Sequence, residues 1–99
     1  MSKETLTDGL IMLHPVRWRI IRTLKEKGVP MYIDEIAHAI DEDRRLVSFH
    51  LSTLEEKEFL ESDFKIIAAP HSKGKAGRFY HLTPKAENVA RKLVEVIKL

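Results

Sequence analysis

No cysteine occurs among the 99 residues, which excludes disulfides and every metal site built on thiolates. No apolar run is long enough to span a bilayer. The opening stretch MSKETLTDGLIML has one lysine and no small-residue cleavage signal, so a secretory leader is not expected. A cytoplasmic location is the expectation that follows from the lack of export or membrane signals. Several enzyme patterns are missing too: there is no cysteine nucleophile, no glycine-rich phosphate loop and no HExxH pair. The chain is expected to be neither an enzyme nor the holder of a cofactor or metal. Acid is absent between Phe64 and Ala86, whereas Lys65, Lys73, Lys75, Arg78 and Lys85 all fall there. The segment just before it, EEKEFLESD at 55–63, is dominated by acid. A net charge of +2 is too mild to establish a nucleic-acid partner, but a basic end beside an acidic middle can orient a protein on a polyanion. A solvated surface with chance clustering has the same composition.

What is present is periodicity. The length and 43% hydrophobic content allow one domain, residues 1–99, with a modest core. Ile33, Ile36, Ala37 and Ile40 form one apolar helical stripe; Val47, His50, Leu51 and Leu54 form another. Only Asp41-Glu42-Asp43 separates them, so the two helices must cross steeply as a helix-turn-helix. Ahead of this pair, a first helix over 4–13 carries Leu6, Leu10 and Leu13 on one side. Pro15 opens a second helix at its first position, with Val16, Ile20 and Leu24 as its core stripe and Gly28 just past its end. Met31-Tyr32-Ile33 suits a small strand before a helix at 34–40. Asp43 N-caps a helix over about 44–57. Leu60–Ala69 and Arg78–Leu82 read as strands joined by the turn-rich PHSKGKAG, in which Gly74 and Gly77 let the tip turn. Thr83-Pro84 opens a last helix over 84–97. The expected fold is mainly α with a small β-hairpin (α+β), a winged helix-turn-helix in the order α-α-β-α-α-β-β-α.

Advancing 100° per residue from Val47 keeps Leu51, Leu54 and His50 within about 60° of it. Arg45, Phe49, Ser52 and Glu56 then point away from the core, and Ser48 lies on the flank. Such a helix reads DNA from its N-terminal part, so Arg45, Ser48, Phe49 and Ser52 are the candidates for base-edge contact. Arg45 suits guanine O6 and N7; Phe49 suits a thymine methyl or, equally, another protein chain. Arg44 and Arg45 stand where the helix dipole disfavours cations, which points to a polyanion partner, although the neighbouring acids offset them and a solvated pair is the plainer alternative. Lys73, Lys75 and Arg78 give the hairpin a basic edge for backbone or minor-groove contact. His50 faces inward and is expected to pack; His14 is expected to cap or orient the second helix.

At these residues the chain resembles the ArsR-like winged-helix transcription regulators. The stretches HPVRWRII (14–21), DEIA (34–37), VSFHLSTL (47–54) and GRFYHLT (77–83) carry the resemblance. Asp41 and Glu58 stand where that family commonly has glycine, and Glu42 where an apolar residue is usual. The resemblance implies a homodimer on a roughly palindromic duplex, with the first and last helices at the interface. The residues support this separately. The apolar arc of the last helix, from Ala86 to Ile97, covers about 160°, wider than one-sided packing needs. Trp18 also falls off the main stripe of its helix. Leu6, Leu10, Leu13, Trp18, Val89, Leu93, Val96 and Ile97 are therefore the candidate dimer contacts, unless the terminal helices simply cover one another. The family's metal sensors use ligands this chain lacks in its third and last helices. The leading expectation is a dimeric, sequence-specific regulator of double-stranded DNA whose effector, if any, is not encoded legibly. The alternative is a winged-helix protein-interaction module, favoured by Phe49 and the acidic segments.

Overall fold

A computed structural model of the chain describes residues 3–68 and 74–97. The elements are α1 (Lys3–Met12), α2 (Pro15–Lys27), β1 (Met31–Tyr32), α3 (Ile33–Ile40), α4 (Arg44–Glu56), β2 (Leu60–Ile66), β3 (Ala76–Leu82) and α5 (Pro84–Ile97). Their order is the one the sequence predicts, and the fold is a winged helix-turn-helix. Ile33 starts α3 instead of ending the small strand, because the Glu35 carboxylate accepts the Tyr32 N–H at 3.1 Å and closes the first helical turn early. The strand expected to reach Ala69 stops at Ile66 among the described residues, and Lys73 lies outside them.

Each helix start has an identifiable cause. His14 Nδ1 accepts the Val16 N–H at 3.2 Å, as expected of a residue capping α2. Asp43 accepts the Arg45 and Leu46 N–H groups at 2.7 and 3.4 Å, which starts α4. Thr83 caps α5 by accepting from the Ala86 N–H at 3.1 Å while its hydroxyl donates to the Glu58 carbonyl at 2.7 Å. That second bond ties the end of α4 to the start of α5. Gly28 ends α2 in the left-handed region, as its place in the sequence predicts.

The sheet is antiparallel in the order β1-β3-β2, with Met31 opposite Tyr80 and Phe64 opposite Arg78. Gly77 is not a turn residue. It lies within β3 opposite Lys65, where a Cβ would come within 2.6 Å of Ile67 Cδ1. The core gathers Met12, Ile20, Ile36, Val47, Leu51, Leu54, Phe59, Leu60 and Ala86, all essentially sealed from solvent. Phe59 is a plug the periodicities did not reveal. Its N–H bonds the Leu54 carbonyl at 2.9 Å and its carbonyl accepts from Thr83 at 3.1 Å.

Candidate nucleic-acid interface

The helix-turn-helix is held by three ties. Arg19 on α2 reaches across the turn, pairing with Glu42 at 3.1 Å and donating to the Ile40 carbonyl. Arg44 pairs with Asp34 on α3 at 2.8 Å. Asp41 adopts φ 53°, so the turn uses a left-handed residue where glycine is the easier choice. The acidic turn therefore has a structural occupation for each member: Asp41 bends, Glu42 pairs and Asp43 caps.

His50 lies on the inner side of α4 as expected, 3% exposed, with its Nδ1 accepting from Arg17 Nε at 3.1 Å. Arg17 also donates to the Ile11 carbonyl at 3.0 Å, linking the end of α1 to α4. The His14 ring stands 4.4 Å from that of His50. Burial first, then the neighbouring His14 and Arg17, holds the His50 imidazole below its ordinary pKa.

On the outer side, Arg45, Ser48, Phe49 and Ser52 are all exposed. Phe49 is 61% exposed, and its ring stands nearly perpendicular to that of His50 at 5.2 Å between centres. Arg44 is exposed but committed to Asp34, whereas Arg45 makes no ion pair among the described residues. Lys75 is exposed just ahead of β3 in the wing.

Arg78 is not a loose charge. Its Nη1 stands 3.6 Å from Glu55 Oε1 and donates to Ser62 Oγ at 3.2 Å, and its guanidinium lies 4.7 Å from the Phe64 ring centre. Ser62 in turn donates to Glu55 Oε2 at 2.6 Å. Glu55, Ser62 and Phe64 are not among the residues that the sequence motifs single out. Period-two alternation along 60–66 puts Leu60, Ser62, Phe64 and Ile66 on one face of β2, and that pattern is present in the sequence. Phe64 and Ile66 are 68% and 67% exposed. Tyr80, on the same face, has its phenol pKa raised, by burial first and then by Glu55, with Arg78 opposing.

The candidate dimer residues separate into two groups. Leu6, Leu10, Leu13, Val96 and Ile97 are exposed, together with Val94. Val89 and Leu93 are not available: both are buried in the monomer's own core. Leu93 packs beneath α1 at Gly9, where an added Cβ would lie 2.8 Å from Leu93 Cδ2. Neither is therefore free to serve as the dimer contact that the sequence suggests, since α1 covers the centre of the apolar arc of α5. Trp18 lies half-buried in a groove of about 600 Å³ between α2 and α5, with Ile21, Ala90 and Val94.

No curated protein matches the chain. Solved structures do. Over 99% of this chain and 90% of its own, diamide-treated YodB from B. subtilis superposes with a TM-score of 0.79 at 18% identity. The transcriptional repressor BigR from Xylella fastidiosa matches 87% of this chain and 77% of its own, with a TM-score of 0.65 at 24% identity. The homodimeric winged helix-turn-helix DNA-binding domain of Mb0332 from Mycobacterium bovis, a possible ArsR-family regulator, matches 99% of this chain and 87% of its own, with a TM-score of 0.64 at 21% identity. The resemblance read from the sequence is thus borne out in the fold. The model of the helix-turn-helix domain family matches residues 12–63, from the end of α1 into β2, and the chain belongs to that family.

Proposed function

We propose that this protein is a sequence-specific, double-stranded-DNA-binding transcriptional regulator that acts as a homodimer. One observation carries the reading: a helix-turn-helix whose second helix buries Val47, Leu51 and Leu54 completely while presenting Arg45, Ser48, Phe49 and Ser52 outward. In this reading α4 enters the major groove, with Arg45 pairing to a guanine edge and Phe49 against a thymine methyl. Lys73, Lys75 and Arg78 take the backbone or the adjacent minor groove. Arg44, held by Asp34, serves as a phosphate contact at the helix start.

The second copy docks on the surface formed by Leu6, Leu10, Leu13, Val96 and Ile97, with Trp18 and Val94 lining the groove beside it. A twofold arrangement covers this surface on both chains at once and sets two α4 helices for a palindromic site. The test is selection of duplexes from a random pool, followed by titration of the winners against salt. Symmetric half-sites and an affinity that falls with ionic strength are expected; an affinity indifferent to salt overturns the reading.

The exposed apolar side chains Phe49, Phe64 and Ile66 favour a second reading, a protein-interaction module. There, Phe49→Ala abolishes partner capture while Lys75→Ala leaves it intact. For DNA binding, both changes weaken the complex.

A further inference from the structure

We infer that Glu55, Ser62 and Phe64 are positioning residues that hold Arg78 as a specificity-determining contact of the wing, in fixed register with α4. The inference rests on the DNA-binding reading and adds residues that it does not use. Ser48, Ser52 and Glu55 follow one another at i, i+4 and i+7, so they form one stripe along the flank of α4. Arg78 meets the C-terminal end of that stripe through Glu55. The wing is therefore joined to the reading helix at the edge of its outward face.

Three contacts restrict the guanidinium. The Glu55 carboxylate accepts the Ser62 hydroxyl at 2.6 Å, which turns the oxygen lone pairs of Ser62 toward Arg78 Nη1 at 3.2 Å. The same carboxylate attracts Arg78 from 3.6 Å, and the Phe64 ring supports its planar group at 4.7 Å. Phe64 and Arg78 are cross-strand partners on one face of the sheet, so the stack follows from the β2–β3 register. Only Nη1 is engaged among the described residues, and the side chain stays 44% exposed. The remaining N–H donors make no bond among the described residues, and a planar fork that is already ordered loses less freedom when it binds.

A loose phosphate-seeking arginine contributes equally to every duplex; a braced one favours the duplexes that place an acceptor where it points. The ratio of affinity for a selected duplex over a scrambled one separates the two. Removing a negative charge near DNA strengthens both affinities alike and cancels in that ratio. Glu55→Gln and Phe64→Leu are each expected to lower the ratio by roughly fivefold or more. Glu56→Gln, next along the helix, is expected to leave it within about twofold. Arg78→Ala should lower the ratio as far as either, and the double variant Glu55→Gln/Arg78→Ala no further than Arg78→Ala alone. Thermal melts of each variant establish that it is folded. A native ratio that Glu55→Gln and Phe64→Leu leave unchanged overturns the brace and spares the DNA reading. A native protein with no preference among duplexes overturns both.

Discussion

Glu58 holds its backbone at φ 65° between α4 and β2, a region that costs an L-residue about 1–2 kcal/mol. Its N–H bonds the Glu55 carbonyl at 3.0 Å, and its carbonyl accepts the Thr83 hydroxyl, so the turn is kept by partners on both sides. Glu58→Gly is expected to raise stability by about 0.5–1 kcal/mol, the relieved strain exceeding the added freedom of the unfolded chain. Denaturant midpoints measure this, and a loss of stability refutes the assignment of strain. Thr83→Val removes a buried hydroxyl that both caps α5 and satisfies the Glu58 carbonyl, and is expected to cost about 1–2 kcal/mol by the same measurement. His50 makes stability depend on pH. Its folded pKa lies below the ordinary 6.5, so the unfolded chain binds more protons in the interval between the two values. Stability is full above pH 6.5, falls as pH drops through 6.5, and levels off below the folded pKa. His50→Asn, which keeps an acceptor for Arg17 Nε and removes the titration, is expected to flatten that part of the profile.

At the scale of the element, α4 has two tasks set by opposite faces. Its inner stripe is anchored by packing, and its start by Asp43, whose replacement by alanine is expected to cost about 1 kcal/mol. The outer face contributes little to folding, so changes there separate binding from stability. Arg45→Ala is expected to weaken the preferred duplex by about 1–3 kcal/mol while leaving the melting temperature nearly unaltered. Lys75→Ala is expected to weaken all duplexes about equally and to lower the salt slope by about one contact. Equal losses on every duplex for both variants would remove Arg45 from base readout. The wing joins α4 through Glu55, so the two elements are expected to act as one reading unit.

For the whole molecule, the surface proposed to receive a second copy is apolar and lies on the terminal helices. Leu10 on α1 is 68% exposed and Ile97 on α5 63%, and Leu6, Val94 and Val96 on the same two helices are exposed as well. Exposed apolar surface of this kind calls for a partner. Leu10→Glu is expected to convert a dimer to a monomer in analytical ultracentrifugation and to reduce affinity for a two-half-site duplex by orders of magnitude, while a single half-site is bound as before. A wild-type chain that sediments as a monomer at high concentration would refute the dimer. No helix among the described residues is long and apolar enough to cross a membrane.

Local signals decided a large share of this protein. Helical stripes, Pro15, Gly28, Asp43 and the Thr83-Pro84 pair specify elements through forces acting within a few residues, so element order and the inward and outward faces of α4 were readable along the chain. Gly77 was misread because its neighbour Ile67 is ten residues away and meets it only across the hairpin. Val89 and Leu93 were misplaced for a similar reason: their periodicity marks a buried side, but not whether α1 or a second chain covers it. Phe59 belongs to no stripe, and Arg78 was visible only as a charge. That this charge lies on Phe64 and answers to Glu55 depends on strand register and helix packing, which side chains distant in sequence settle only when the core closes.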